Sequence, residues 1–311
     1  MKIVITENED FSQKAIQELS TLGTVTTFNI SSKEELIEEI ADADVIFIRL
    51  RFKLDQTILK KAKKLKYILT ATTGLDHIDT TYFESIGGKV ISLRGETQFL
   101  NTIPSTAEHT WALLLSLMRN LPQAYNDVKQ GYWRRDLFKG HNLLGKKIGI
   151  LGLGRVGTQV AHYAKAFGMQ VAFYDVVQKQ NTNLIDFNSP QELFAWADII
   201  SIHIPLNPST QHFINKELID NIKEDAVMIN TSRGAVIDEN YLIQKLQKKA
   251  FKGYATDVLE NELENNTATN QLIQLANLNN NIIITPHIAG ATYESMHMTE
   301  NFIVQKFFKN I

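Results

Sequence analysis

Up to about residue 93 the chain alternates short runs of β-branched and aromatic residues, at 3–5, 25–28, 45–48, 67–71 and 90–92, with stretches of helical spacing. Strand-length runs separated by helical ones predict a parallel sheet, because parallel neighbours need a crossover connection of helix length. From about residue 101 the rhythm gives way to a helical tract, in which Ala107, Trp111, Leu114, Leu115 and Met118 fall at helix spacing and Pro122 interrupts. Alternation then resumes, with predicted strands at 148–151, 171–174, 199–204, 227–230, 253–256 and 282–285. This second series predicts a second parallel sheet. From Ala289 onward the pattern predicts one helix, with Met296, Phe302, Ile303 and Phe307 on its apolar side. A single helix cannot bury its own apolar face, so it must pack on an earlier part of the chain.

Between the predicted strands at 148–151 and 171–174 stands Gly152-Leu153-Gly154-Arg155-Val156-Gly157, and Asp175 closes the second strand. Each residue type suits a dinucleotide. Gly152 permits a tight turn out of the strand, Gly154 lets backbone approach a pyrophosphate without a Cβ in the way, and Gly157 allows close packing of helix on sheet. A helix opening near Arg155 offers unpaired amides and the positive end of its dipole to the phosphates. Asp175 lies near the spacing expected of the acid that bonds the adenosine ribose. A glycine turn alone can serve packing; strand, turn, helix, strand and acid in this order point to a dinucleotide site.

Composition narrows the picture. With 311 residues the chain has room for two domains, and a net charge of −2 gives no general attraction to nucleic acid or an anionic membrane. The cluster Lys60-Lys61-Ala62-Lys63-Lys64 is therefore expected to be a solvated helix face. There is no cysteine, which excludes disulfides, thiolate nucleophiles and sulfur-based zinc sites, and no metal site is expected. The first residues enter a strand directly, without the features of a leader, and the longest apolar run, near 111–118, is too short to span a bilayer. A soluble, cytoplasmic protein acting on a small molecule is expected, with no membrane or nucleic-acid partner.

Ligands of open α/β sheets bind beyond the carboxyl ends of the strands. Three such places carry chemistry. Arg233 follows the strand at 227–230 and could grip a carboxylate through two parallel hydrogen bonds, or equally pair with a helix carboxylate. Asp257, Glu260 and Glu262 follow the next strand and, taken alone, fit solvated surface. His287, held behind Pro286, follows the last strand and is a natural proton donor or acceptor near neutral pH. Together, an arginine, a carboxylate and a histidine on successive strand ends beside a dinucleotide turn make a hydride-transfer constellation.

These motifs, with Gly74-Leu75-Asp76-His77-Ile78-Asp79, Ala107-Glu108, Gly131-Tyr132-Trp133 and His203-Ile204-Pro205, resemble the D-isomer-specific 2-hydroxyacid dehydrogenase family, in particular its phosphoglycerate dehydrogenase-like members, over nearly the whole chain. The resemblance implies an α/β chain of two doubly wound parallel-sheet domains. Residues 99–287 would form a Rossmann NAD-binding domain inserted into a flavodoxin-like substrate domain made of 1–98 and 288–311, with the active site in the cleft. It implies that Arg233, Glu262 and His287 are catalytic, with Arg233 on the substrate carboxylate and carbonyl, His287 as acid/base and Glu262 paired with it. Arg49, Thr73, Gly74 and Leu75 would help bind substrate. NAD would be held by Gly152, Gly154, Arg155, Val156, Gly157, Asp175, His203, Pro205, Thr231, Ser232, Asp257 and Gly290. A homodimer is implied through the helix around 106–121.

The sequence departs from the family pattern in three places. Leu263 stands where a proline usually follows the catalytic glutamate, which keeps Glu260 open beside Glu262; Leu50 follows Arg49 where a small polar residue is common; and Leu93-Arg94-Gly95-Glu96 replaces an asparagine-proline turn. The activity implied is interconversion of a D-2-hydroxy acid and the 2-keto acid with NAD. A formate dehydrogenase has no use for an acid/base pair, whereas a non-enzymatic NAD(H)-sensing, corepressor-like regulator on the same fold is the alternative.

Overall fold

The apolar runs of the N-terminal part become five strands, β1 (Lys2–Ile5), β2 (Thr24–Thr27), β3 (Val45–Phe47), β4 (Tyr67–Leu69) and β5 (Lys89–Ile91), in a computed structural model that describes every residue except 181, 263–268 and 280. All pair in parallel, in the order β2-β1-β3-β4-β5. The central strands are buried on both faces, which is why they read as unbroken apolar runs and not as alternating ones. Val4, Ile46 and Ile68 face one core, and Ile3, Ile5, Val45, Phe47 and Leu69 face the other.

The last helix, Tyr293–Phe308, belongs to the second of these cores, where it buries Ile303, Val304 and Phe307 completely. Burial of three such side chains contributes roughly 5–9 kcal/mol before the cost of ordering them. Phe302 stacks on Phe99 with ring centroids 4.0 Å apart. The helix begins at Tyr293, not at Ala289 as the pattern predicts. Thr292 has extended backbone and its hydroxyl accepts the Ser295 amide at 3.1 Å, so the helix is capped there.

The remaining strands are β6 (Lys147–Leu151), β7 (Gln170–Tyr174), β8 (Ile185–Asp186), β9 (Ile199–Ile202), β10 (Val227–Asn230), β11 (Gly253–Thr256) and β12 (Ile282–Ile284). They form a seven-stranded parallel sheet in the order β12-β11-β10-β9-β6-β7-β8, which reverses between β6 and β9. Helix Ser105–Met118 lays Ala107, Trp111, Leu114 and Leu117 in one core of this sheet, with Val160, Ala161 and Ala164 of helix Arg155–Ala166. Pro122 does not interrupt a helix: Asn120 takes a left-handed conformation at φ +52° and ends the first, and Pro122 sits in the first turn of Leu121–Lys129, where no amide donor is needed.

The chain thus divides into two units, Met1–Ile103 with Ala291–Ile311, and Pro104–Gly290. The division lies a few residues beyond 98 and 287. Phe99 and Leu100 pack in the core of the first unit, and the amides of Ile288 and Ala289 are held by Asp257 of the second. Among the described residues no helix is long and apolar enough to cross a membrane.

Candidate active site

β6 leads into Gly152 at φ +92°, a conformation that side chains rarely adopt, and a Cβ there would stand 2.9 Å from the carbonyl oxygen of His203 beyond β9. The glycine turn and His203 therefore meet where the strand order reverses, the place at which doubly wound sheets bind nucleotides. A Cβ on Gly157 would lie 2.2 Å from the Gly152 oxygen, so helix Arg155–Ala166 can pack this close only without a side chain. Gly154, its N-cap, makes no side-chain cap bond, and a Cβ built there would meet nothing within 4 Å. No side chain caps this helix start, and the open space at Gly154 gives an anion room to approach its first turn.

Asp175, directly after β7, bends its carboxylate toward this turn, accepting the amides of Leu153 and Val177 at 2.8 Å each and the Lys179 ammonium at 3.3 Å. His203 bonds Ser201 Oγ through Nε2 at 2.7 Å, and burial, with the charge of Arg155, pushes its pKa down to about 3. It is neutral at physiological pH and adds a hydrogen-bonding ring, not a charge. The carbonyl of the exposed Pro205 accepts the Thr210 hydroxyl at 2.6 Å. An uncapped helix start, a glycine with open space before it and a carboxylate beyond β7 are groups that could hold a dinucleotide's pyrophosphate and ribose. Among the described residues no group of three or more His, Asp or Glu is arranged to hold a metal ion.

The ends of β10, β11 and β12 converge in the same unit. Asn230 builds the turn that carries Arg233: its Oδ1 accepts the Ser232 amide at 3.0 Å and hydroxyl at 2.8 Å, and its Nδ2 donates to the Arg233 carbonyl at 3.0 Å. Thr231 is buried against Thr110, hydroxyl to hydroxyl at 2.7 Å. A Cβ on Gly234 would come within 2.0 Å of the Leu259 backbone, so the arginine turn rests directly on the loop after β11. The half-buried Arg233 donates from NH1 to the Ser232 carbonyl at 2.9 Å.

Asp257 is the anchor of the next turn. Its carboxylate accepts the amides of Ile288 at 2.9 Å and Ala289 at 2.7 Å and the Thr285 hydroxyl at 2.6 Å, while its carbonyl accepts the His287 amide at 2.8 Å. His109 Nε2 lies 2.9 Å from Thr285 Oγ1 and 3.4 Å from Asp257 Oδ1. Burial works to raise the carboxyl pKa, but these hydrogen bonds outweigh it and hold Asp257 below its ordinary range. The fixed turn forces His287 into φ +54°, the kind of backbone strain that persists only where surrounding bonds over-determine it. Gly290 follows as an exposed residue with open space at its Cα.

It is Glu262 whose carboxylate contacts His287 Nδ1, and its other oxygen accepts the Leu259 amide at 3.1 Å. Glu260 goes elsewhere, bonding His212 Nε2 at 2.7 Å. Leu263 lies outside the described residues.

In the first unit, Arg49 follows β3 and the segment Thr73, Gly74, Leu75 follows β4, with the Thr72 hydroxyl donating to the Gly74 carbonyl at 2.8 Å. Two acids unanticipated from the sequence sit beside Arg49. Glu300, on the last helix and 1% exposed, takes its guanidinium, with Nε at 3.2 Å; Glu7, just after β1, accepts the amides of Arg49 and Arg51. The sequence carried a signal for both: Glu7 abuts a continuous apolar run, and Glu300 stands four residues after Met296 and three before Ile303 on an apolar face. His109 gave none.

Residues 111–289 match the model of the D-isomer-specific 2-hydroxyacid dehydrogenase NAD-binding domain. The chain is 36% identical to a D-3-phosphoglycerate dehydrogenase of Methanocaldococcus jannaschii over 99% of its own length and 57% of that protein's. It is 34% identical to a hydroxypyruvate reductase of Thermotoga maritima, over 90% and 88% of the two. It thus spans little more than half of the first relative and most of the second. The structure superposes with a TM-score of 0.84 on the D-lactate dehydrogenase of Aquifex aeolicus complexed with NAD and lactic acid, at 30% identity, covering 100% of this chain and 96% of that one. With more than half of the chain under the family model and relatives of this likeness along its length, the chain belongs to the D-isomer-specific 2-hydroxyacid dehydrogenases.

Proposed function

We propose that this chain is an NAD-dependent dehydrogenase interconverting a D-2-hydroxy acid and its 2-keto acid. The observation that carries the reading is the His287–Glu262 pair, set on a strand end of the unit that holds the glycine turn. In this reading the Pro104–Gly290 unit binds cofactor, and the unit containing Arg49, Thr73, Gly74 and Leu75 binds substrate.

NAD, when bound, supplies or accepts the hydride. Arg233 holds the substrate carboxylate and, in reduction, stabilises the negative charge that grows on the carbonyl oxygen. His287, steadied through Nδ1 by Glu262, gives a proton from Nε2 to that oxygen. In oxidation the neutral ring takes the hydroxyl proton. The test is NADH oxidation with a panel of 2-keto acids. Turnover supports the dehydrogenase; NADH binding with no turnover on any member supports the NAD(H)-sensing regulator instead.

Asp175 is expected to make the enzyme prefer NADH over NADPH, since its charge repels a 2′-phosphate. Asp175→Asn removes that charge and releases Lys179, 3.3 Å away, to face the phosphate. The NADPH/NADH ratio of kcat/KM should rise by roughly tenfold or more. Equal use of both cofactors by the wild type would refute the assignment.

The dimer reading moves along the chain. Helix Ser105–Met118 buries its apolar residues within its own unit, whereas Leu121, Tyr125, Val128, Tyr132, Leu137 and above all Trp133, 86% exposed, lie on the segment after it. Exposed apolar residues in such number suit an interface. A cytoplasmic homodimer joined through this segment is expected to dissociate in Trp133→Glu; a monomeric wild type in sedimentation equilibrium would remove the proposal.

A further inference from the structure

Helix Ser105–Met118 reaches the turn that carries His287 through His109, whose Nε2 lies 2.9 Å from Thr285 Oγ1 and 3.4 Å from Asp257 Oδ1. Which group donates follows from counting protons. The one hydrogen of the Thr285 hydroxyl goes to Asp257 Oδ1, 2.6 Å away, because an ionised carboxylate only accepts. The contact with His109 must then be donated by the ring, so Nε2 carries a proton whether the imidazole is neutral or charged. Asp257, its side chain wholly buried, also accepts the amides of Ile288 and Ala289, and its carbonyl accepts that of His287. A line of bonds thus runs from ring to hydroxyl to carboxylate to the backbone on which His287 is mounted at φ +54°. Every member lies in the Pro104–Gly290 unit.

We propose that His109 is a positioning residue for the proton transfer: by donating from Nε2 into the Thr285–Asp257 pair it fixes the turn that aims His287, and the transferred proton does not pass through it. The proposal rests on the dehydrogenase reading given above, in which His287 exchanges that proton. It carries a pH dependence of defined sign. His109 is the titratable side chain that the helix brings to Asp257; the His287 ring on the same turn is engaged by Glu262 instead. Burial pushes the Asp257 pKa up, and among the bonds that oppose burial the one from His109 counts most, with Thr285 and the amides of Ile288 and Ala289 after it. The net result is a depressed pKa, so the anchor is intact above the ordinary carboxylate range and is lost as pH falls through the depressed value. Without the His109 bond that value rises. Asp257 then protonates, and gives up its amides, at a higher pH than in the wild type.

The experiment follows the pH dependence of NADH oxidation in the wild type, His109→Leu and His109→Gln, with whichever of glyoxylate, pyruvate and hydroxypyruvate turns over fastest. Leucine keeps the bulk of the ring but offers no donor, whereas glutamine places an amide N–H near the position of Nε2. His109→Leu should lower kcat by about 10- to 100-fold, the worth of a misplaced reacting group, and should move the acid-side fall of kcat/KM to higher pH. His109→Gln should restore most of both. Lost packing alone would lower activity equally at every pH, and glutamine would repair it no better than leucine. If His109→Leu does not fold, as judged by circular dichroism, His109→Asn, whose shorter amide does not reach Thr285, takes its place with the same expected result. A folded variant without the donor that keeps the wild-type profile, or loses activity equally at every pH, overturns this inference and leaves the dehydrogenase standing. Failure of the wild type to turn over any 2-keto acid overturns the dehydrogenase reading, and this inference with it.

Discussion

His287→Asn should lower kcat/KM for 2-keto acid reduction by about 10²–10⁴-fold, the usual worth of a positioned proton donor, while leaving the affinity for NADH nearly unchanged. Asparagine is the informative replacement because it tolerates the left-handed backbone that residue 287 adopts at φ +54°. Alanine would mix lost chemistry with added strain. Thermal unfolding should therefore change little in His287→Asn, so that the kinetic loss is assigned to the proton. Glu262→Gln removes only the charge steadying Nδ1 and should cost less than loss of the ring. Near-normal turnover in His287→Asn would remove His287 from the mechanism altogether.

Arg233→Lys should cost about 10²–10³-fold in kcat/KM, comparable to the removal of a donor that stabilises a developing oxyanion. The charge is retained, but an ammonium offers no planar fork for a carboxylate. The turn cannot shift to compensate. Asn230 pins it through three hydrogen bonds, and Gly234 rests against the Leu259 backbone with no space even for a methyl group. Because the guanidinium is not part of the glycine turn, NADH binding should change far less than turnover. Near-normal kcat/KM in the lysine variant would make Arg233 a structural residue.

Strands with unbroken apolar runs were legible because a parallel sheet covered on both faces leaves no polar alternation to confuse them, as at Ile3, Val4 and Ile5 or at 199–202. β8 was not legible: two residues, both exposed, carry no such run. The glycine turn could be read because Gly152 and Gly157 answer local steric demands visible in spacing. The choice between Glu260 and Glu262 could not, since it depends on how the loop after β11 folds and on His212, which claims Glu260 from far along the chain. The same holds for His109, whose partners Thr285 and Asp257 are remote in sequence. For Glu260 and His109 the partner is set by tertiary structure, and the spacing of neighbouring residues does not name it.

The unit Pro104–Gly290 is one continuous stretch, whereas the other is assembled from both ends of the sequence and takes Ile303, Val304 and Phe307 into its core from the final helix. The two therefore differ in when they can be finished during synthesis. The inserted unit has all its strands once β12 has left the ribosome, but one face of the sheet that was made first, covered in part by Phe11, Ala15 and Leu19, is completed only when the last helix arrives. The apolar positions that Ile303, Val304 and Phe307 cover stay uncovered by that helix in this interval, where agents that bind apolar surface on nascent chains would meet them.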